Sequence, residues 1–359
     1  MILMFSGDNR SFCWRAVRRG RVIRGRRRLD SGLRLDDIGD CADCPEELEA
    51  VGYFLHHGGS RITKPAVLLT PQNFNEAAKC VRFLPDYNDL TFKIAGYWMK
   101  KRPDVPHVLL CDTAFFNLLP YAARNYAIPY RLQRENIRRY GRYGLSQRWL
   151  LKQIKPRLAG HQSKIITVYL GDCTSVSAIK DGNPLATSSG FTPVEGILSL
   201  TGSGSIDPTI VFYLHAAGMS FSEINELLSK KSGFAALVGR SADVASVLNN
   251  RREPKKIAAR GFYCYNVVKW IGSAMAILGG ADAIVFFSEK PAAYRGIIRE
   301  ICRRFAFLGL KCKCPQNAKM DFANLTGDAS RIKAFCFRHD RWRIMEEDIR
   351  AIILKRREA

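Results

Sequence analysis

Short apolar runs typical of buried strands alternate with helical patterns along the chain, and this alternation most constrains the fold that it can adopt. Strands are predicted at 66–69, 108–111, 164–170, 176–179, 283–287 and 334–337, and helices at 73–82, 208–217, 220–229, 243–248, 257–278 and 293–307. With 359 residues, of which 47% are hydrophobic, the chain can bury two cores. The pattern predicts an α/β fold of two domains that meet near residues 157–163, where Pro156 and Gly160 interrupt a helical stretch.

The start of the chain combines an apolar run with many arginines. Residues 1–5 and 12–17 suit the two strands of a hairpin, with residues 18–28 on its return strand or loop. The same arginine-rich, acid-poor composition is also typical of a mitochondrial transit peptide. No run of eighteen or more apolar residues occurs, so no membrane-spanning helix is predicted.

Positive charge far exceeds negative charge in this sequence. It has 56 Lys and Arg residues against 33 Asp and Glu residues, which gives a formal net charge of +23. This excess indicates a polyanionic partner, although an anionic lipid surface or an acidic protein would also attract it. Arginine forks suit phosphates, so we expect RNA contacts from the basic stretches. The candidate residues are Arg15, Arg18, Arg19, Arg21, Arg24, Arg26, Arg27, Arg28, Arg142, Arg148, Lys152 and Lys155.

Five segments match, in order, the motifs of one enzyme family. They are GYFLHHGG at 52–59, LLCDTAFF at 109–116, RRYGRYGLSQ at 138–147, TPVEG at 192–196 and SLTGSGSIDP at 199–208. In this order they resemble the acetate and propionate kinases. The resemblance implies a duplicated actin-like ATPase fold, in which each half is a mixed sheet flanked by helices. It also implies domains at 1–158 and 159–341, with a C-terminal helix at 342–359 that packs back on the first domain.

The same resemblance implies that several catalytic residues are replaced. The family's substrate arginine falls on Phe54, two of its histidines fall on Tyr87 and Tyr143, and its catalytic arginine falls on Gly202. Its glycine-rich phosphate-binding turn falls on 169–175 and its glycine-rich nucleotide loop falls on 286–290, and both segments have lost glycines. Acidic remnants are Asp112 and Glu289, and we expect loop amides rather than a metal to satisfy Asp112. Phosphoryl transfer depends on positioned positive charge, so these replacements predict an inactive member of the family.

Cysteine spacing raises one metal-site hypothesis. Cys41 and Cys44 form a CxxC pair, and Cys312 and Cys314 form a CxC pair, which together could bind zinc. No second CxxC pair is present and the two pairs fall in different predicted domains, so we predict no metal. Unpaired cysteines suit a reducing compartment such as the cytosol or the mitochondrial matrix.

Three functions are compatible with these observations. The first is a catalytically inactive, RNA-contacting subunit of a large ribonucleoprotein, the mitochondrial ribosome, with ribosomal RNA and ribosomal proteins as partners. This hypothesis places the chain in the mitochondrial matrix, without a cofactor, without membrane association and without the family-type dimer. The alternatives are an active but diverged kinase of acetate or another short carboxylate, in which arginines such as Arg142 replace the lost ones, and a regulatory partner of an active relative.

Overall fold

The computed structural model describes residues 1–8, 11–29, 47–158, 163–239, 243–314 and 321–358. Cys41 and Cys44 of the zinc hypothesis, and Gly160 of the predicted domain boundary, lie outside these residues. The chain forms two compact units that interleave along the sequence. The first unit comprises Met1–Asn117, Arg142–Leu150 and Asp340–Ala359, and the second comprises Leu118–Gly141 and Leu151–His339. The division at 158/159 stays a prediction about the two halves of the fold.

The described residues form strands and helices throughout. The strands are β1 (Ile2–Asp8), β2 (Ser11–Arg18), β3 (Arg21–Arg28), β4 (Ala50–Leu55), β5 (Ala66–Leu69), β6 (His107–Cys111), β7 (Lys164–Tyr169), β8 (Ser175–Lys180), β9 (Asn183–Thr187), β10 (Ala283–Ser288), β11 (Phe322–Asn324) and β12 (Lys333–Arg338). The helices are α1 (Pro71–Ala78), α2 (Pro85–Lys101), α3 (Tyr121–Arg124), α4 (Tyr130–Arg134), α5 (Gly144–Ile154), α6 (Thr209–Ala216), α7 (Phe221–Lys230), α8 (Gly233–Val238), α9 (Val244–Asn249), α10 (Pro254–Leu278), α11 (Arg295–Arg303) and α12 (Arg341–Glu358).

The first unit is a six-stranded mixed sheet in the order β3-β2-β1-β4-β6-β5. Strands β1, β4 and β6 run parallel, so their carboxyl ends meet at one edge. Because side chains alternate along β1, Leu3 and Phe5 pack in the cluster that contains Trp98 of α2, while Ile2 and Met4 pack in the cluster that α12 covers. Helix α12 therefore seals one face of this sheet.

The second unit repeats this architecture with the order β11-β12-β10-β7-β8-β9. Strands β7, β10 and β12 run parallel and again bring their carboxyl ends to one edge. The long helix α10 contributes Tyr263, Val267 and Ile271 to the core that covers this sheet. Two mixed six-stranded sheets flanked by helices confirm the predicted α/β class.

Most predicted strands match the observed ones to within one residue, and the main differences lie in exposed or interrupted elements. Residues 21–28 form a full third strand, β3, at the edge of the first sheet. The helix predicted at 293–307 is shorter, since 3-10 turns at Pro291–Tyr294 and Ala306–Leu308 flank α11. Among the described residues, no helix has the length and apolar character needed to cross a bilayer.

Candidate active site

The carboxyl ends of β1, β4 and β6 gather polar and aromatic side chains at one edge of the first sheet. Ser6 lies near the end of β1, His56 follows β4, and Asp112 follows β6. In parallel α/β sheets, ligands bind at this edge, where loops after the strands supply the functional groups. These residues therefore define the candidate site of the first unit.

Asp112 is buried at the start of a 3-10 turn and accepts two backbone hydrogen bonds. Its carboxylate receives the N–H of Tyr143 at 2.7 Å and the N–H of Leu145 at 3.3 Å. Burial raises the pKa of Asp112, while these two donors and the positive charges of Arg142 and Arg341 partly oppose that shift. The loop amides thus hold this carboxylate in place at the start of α5.

Gly144 explains how the loop closes so tightly on Asp112. A Cβ atom at Gly144 would lie 2.2 Å from the backbone oxygen of Asp112 and 2.7 Å from Cβ of Phe115. Only glycine leaves room for this approach. The glycine of the RRYGRYGLSQ segment is therefore a packing requirement of the site.

Two aromatic rings flank His56. The His56 ring lies 4.8 Å from the Phe54 ring and 4.7 Å from the Tyr87 ring, centre to centre. Burial lowers the pKa of His56 well below its ordinary value, and the charges of Arg341 and Arg142 lower it further. His56 is therefore neutral at neutral pH, and the two positions where the family has an arginine and a histidine, Phe54 and Tyr87, pack around it.

Arg341 brings a positive charge to this group from the other end of the chain. Its guanidinium carbon lies 5.1 Å from the centre of the Phe54 ring, and its Nη1 donates to Ser6 Oγ at 3.0 Å. Asp340 fixes the start of α12 by accepting the N–H groups of Trp342 at 3.0 Å and Arg343 at 3.3 Å. Sequence reasoning missed Arg341 and His56 as members of the site, and only the position of Arg341 at the start of the returning helix could have indicated it.

In the second unit, the loop around Gly202 is held by hydrogen bonds. The Gly202 N–H donates to Ser199 Oγ at 2.7 Å, and the Ser199 N–H donates to the Gly202 oxygen at 3.0 Å. A Cβ atom at Gly202 would lie 2.8 Å from Ser199 Oγ. At the position of the family's catalytic arginine, this chain has a closed turn.

The phosphate turn at 169–175 lies against the Gly202 loop. The Leu200 N–H donates to the Asp172 oxygen at 2.7 Å, and Cys173 forms an isolated bridge with Ser199. Burial raises the pKa of Asp172, and the negative charges of Asp243 and Glu289 raise it further, while Lys290 opposes them. The loop after β10 therefore brings Glu289 close enough to Asp172 for their charges to interact.

The TPVEG segment serves to fix structure within the second unit. Glu195 Oε1 pairs with Arg139 Nη2 at 2.8 Å, and the Tyr126 hydroxyl also donates to Glu195. The Arg139 guanidinium lies 4.6 Å from the centre of the Tyr126 ring. Motif residues of two segments are thus joined in one network.

The candidate RNA contacts fall into different environments. Arg15, Arg18 and Arg148 pair with Asp340, Glu47 and Asp348, at 3.3, 2.6 and 3.0 Å. Arg142 is half-buried beside Tyr143 in the candidate site. The exposed members are Arg18 and Arg19, the β3 residues Arg21, Arg24, Arg26, Arg27 and Arg28, and also Lys152 and Lys155. Their assignment to RNA stays a prediction.

Comparison with known proteins decides the family. A model described as the Acetokinase family matches residues 34–345. The chain belongs to the acetokinase family. It is 34% identical over 320 residues to the acetate kinase of Bacteroides fragilis, covering 86% of this chain and 79% of that one. It is 32% identical over 338 residues to acetate kinase 2 of Clostridium perfringens, covering 91% and 84%.

Solved structures of the acetokinase family have the same fold. The Porphyromonas gingivalis acetate kinase matches with a TM-score of 0.86 and 25% identity, covering 98% of this chain and 99% of that one. A Francisella tularensis propionate kinase matches with a TM-score of 0.86 and 24% identity, covering 96% and 97%. The predicted family and the predicted duplicated actin-like ATPase fold are confirmed.

The prediction of an inactive, RNA-contacting subunit of the mitochondrial ribosome is wrong. The relatives that share about a third of their residues with this chain are acetate kinases, and the comparisons give no support for a ribosomal or mitochondrial role. The replacements at Phe54, Tyr87, Tyr143 and Gly202 do not establish a loss of activity. The comparisons favour the alternative, an active kinase of a short carboxylate.

Proposed function

We propose that this acetokinase-family chain is an ATP-dependent phosphotransferase whose acceptor is a short carboxylate such as acetate. Its relatives named acetate kinase support the reaction class. The observation that carries the proposal for the chain's own residues is the convergence of Arg142 and Arg341 on His56 and Asp112. Positive charge is present in the site although the family's arginine position is Phe54.

Arg341 has the central role in the first unit. Phosphoryl transfer is accelerated mainly by fixed positive charge around the moving phosphoryl group and by alignment of the two reactants. Arg341 lies over Phe54 and is anchored on Ser6, so its guanidinium is held in place before substrate binds. It supplies the charge for a carboxylate or a transferred phosphoryl group, and Arg142 adds a second charge beside Tyr143.

Phe54, Tyr87 and His56 give the acceptor site an aromatic wall. Such a wall accommodates the alkyl part of a short acid, while Arg341 attracts its carboxylate. Neutral His56 keeps hydrogen-bonding capacity without adding charge. We therefore expect the chain to accept acids with a small apolar tail.

The loops of the second unit that correspond to the family's nucleotide site carry mainly negative charge, unlike the arginine-rich site of the first unit. Asp172, Asp243 and Glu289 interact electrostatically there, with Lys290 as a counter-charge. No group of three or more Asp, Glu, His or Cys side chains among the described residues could hold a metal, and Asp112 already accepts two backbone N–H groups. The described residues thus do not fit a resident metal, and the proposal assigns none to the chain.

The test is ATP-dependent phosphorylation of formate, acetate, propionate and butyrate by the full-length protein. ADP release and trapping of the acyl phosphate with hydroxylamine give two independent readouts. We expect activity with at least one acid, and we expect R341Q to lower kcat/KM by about 10–100-fold, since it removes a positioned charge. R343Q is the matched control, because Arg343 is exposed on the same helix and pairs with Glu347.

Folded wild-type protein that forms no acyl phosphate from any of the four acids would refute the proposed function. Equal losses in R341Q and R343Q would remove the role of Arg341 but not the reaction. The remaining sequence-based predictions, on a matrix location, on partners and on the absence of a family-type dimer, are still untested.

A further inference from the structure

A cavity of about 500 Å³ in the second unit combines thiols with positive charge. Three cysteines line it, Cys302, Cys312 and Cys314, and three cations line it, Arg299, Arg303 and Lys311. Within the part of the chain that the structure describes, no carboxylate lines this cavity. The cavity therefore favours anions next to sulfur atoms.

Two of these cysteines, Cys302 and Cys312, interact with each other and differ in solvent exposure. Cys302 lies in the last turn of α11 and is fully buried, whereas Cys312 is half-buried. Both thiols line the same cavity and interact with each other. Backbone contacts fix the segment of Cys312, since Lys313 N donates to the Leu325 oxygen at 2.7 Å. The cavity thus brings together one partly accessible thiol and one buried thiol.

A hydrogen bond between the two side chains shifts the pKa values of Cys302 and Cys312 in opposite directions. It lowers the pKa of Cys312, and the positive charge of Arg299 lowers it further, while burial opposes both. The same hydrogen bond and burial raise the pKa of Cys302. A thiolate attacks disulfides and a thiol does not, and Cys312 is also the more accessible of the two. Cys312 is therefore the attacking residue and Cys302 the resolving one.

We propose that Cys312 and Cys302 form a redox-active dithiol that reacts with small anionic disulfides in this basic cavity. The Cys312 thiolate attacks one sulfur of the disulfide, whose S–S bond breaks and releases one small thiolate. Cys302 then gives its proton to solvent and attacks the Cys312 sulfur, which releases the second small thiolate. Two cysteines are oxidised to one disulfide, and one small disulfide is reduced to two thiols.

Other cysteines in the neighbourhood do not share this role. Cys314 is buried and donates to the Arg295 oxygen at 3.8 Å, and burial raises its pKa. Cys336 is buried in β12, and burial raises its pKa to about 12. The described residues also hold no group of three or more metal-binding side chains here, so the geometry favours sulfur chemistry over zinc.

The test treats the full-length protein with oxidised glutathione and maps the products by mass spectrometry. In wild type we expect a disulfide between Cys302 and Cys312. In C302S we expect a glutathione adduct that persists on Cys312, and in C312S we expect neither product. C13S is the control, because Cys13 is also half-buried but lies in the first unit.

A second arm tests the charge of the cavity. The double variant R303Q/K311Q should slow the reaction with anionic oxidised glutathione by roughly tenfold, and should leave the reaction with cationic cystamine unchanged or faster. R304Q is the matched control, since Arg304 is the exposed neighbour of Arg303 and does not line the cavity.

The proposal is overturned if another cysteine reacts before Cys312 or if C302S gives no trapped adduct. It is also overturned if R303Q/K311Q slows both reagents equally. None of these readouts depends on phosphotransfer, so the dithiol and the proposed kinase activity can fail separately.

Discussion

The guanidinium of Arg341 lies over the ring of Phe54, 5.1 Å from its centre. Phe54 is the next-to-last residue of β4, and Arg341 is the first residue of α12, so the contact joins two segments of the first unit that are far apart in sequence. A cation over an aromatic face is stabilised by the ring quadrupole, typically by about 0.5–1 kcal/mol at exposed sites. The charge that the family places within the β4 motif thus comes, in this chain, from a separate helix.

His56 should make stability depend on pH. Its folded-state pKa is below the unfolded value near 6.5, so protonation favours the unfolded chain. The stability that neutral His56 contributes to the folded state is fully present above about pH 6.5, and it is lost as the pH falls below that value. H56F keeps an aromatic ring between Phe54 and Tyr87, and we expect a shallower fall in unfolding free energy between pH 6.5 and 5, by up to about 1.4 kcal/mol per pH unit.

The measurement is urea unfolding at four pH values for wild type, H56F and the control H215F. His215 is exposed and stacks on Phe221 in the second unit. Burial also lowers the pKa of His107, which all three proteins retain and which sets a common background slope. Identical slopes for wild type and H56F would contradict the assignment.

Gly144 should tolerate no side chain. A Cβ atom there would lie 2.2 Å from the Asp112 backbone oxygen, so G144A must push the loop away from the carboxylate. We expect a loss of about 2–3 kcal/mol in unfolding free energy. G261A, in the interior of α10 with no atom within 4 Å of the new Cβ, should instead gain about 0.5–1 kcal/mol. Chemical denaturation of both variants measures these changes in unfolding free energy. An unfolding free energy for G144A equal to that of wild type would show that the loop adapts to the added Cβ atom.

Removing one charge near the nucleotide loops should strengthen nucleotide binding. Asp172 interacts with the like charges of Asp243 and Glu289, and an added triphosphate would meet the same negative field. We expect D172N to lower the Kd of ATP by roughly fivefold, which corresponds to about 1 kcal/mol of relieved repulsion. Titration calorimetry measures the Kd of ATP for wild type, D172N and the control D328N. Asp328 is a suitable control because it is exposed and pairs with Lys313. An unchanged Kd in D172N would place the nucleotide elsewhere.

The arginines of β3 admit two explanations with different outcomes. They could contact a polyanion, or they could protect an edge strand from pairing with another chain. If they contact a polyanion, R24E/R26E/R28E weakens binding to a single-stranded nucleic acid and reduces its salt dependence. The control replaces the exposed Lys64, Lys100 and Lys255 with glutamate. Fluorescence anisotropy at several salt concentrations measures this. Unchanged binding together with new oligomers, seen by light scattering, would support edge protection alone.

Strand and helix bounds that depend on the local pattern of apolar residues were predicted best from the sequence. Strands β7, β10 and β12 are mainly apolar, and their bounds were predicted to within one residue. The helix start at Ser220 was also predictable, because its hydroxyl and Glu223 cap each other as the side-chain spacing indicates. Strand β3 was less clear, since its arginines and Gly25 lack the alternation of a half-buried strand.

The site itself depends on contacts that local pattern does not contain. Motif spacing placed Asp112 correctly after a buried strand, and family resemblance identified the replaced positions. Arg341 and Phe54 are far apart in sequence, so no local period relates them. Inferring an inactive protein from single positions failed because charge can reach a site from a different element than the one that usually supplies it.

Helix α12 covers the first sheet with residues that lie more than 300 positions after its first strand. Ile344, Met345 and Ile349 pack with Ile2 and Met4 of the first strand, and Ile349 fills the space over Gly52. A nascent chain can therefore close its first unit only after α12 has been synthesised, although domains usually fold in the order of synthesis. Any product that stops short of Arg341 lacks both the cover of this sheet and the charge over Phe54, so truncated chains are both unstable and incomplete at the site.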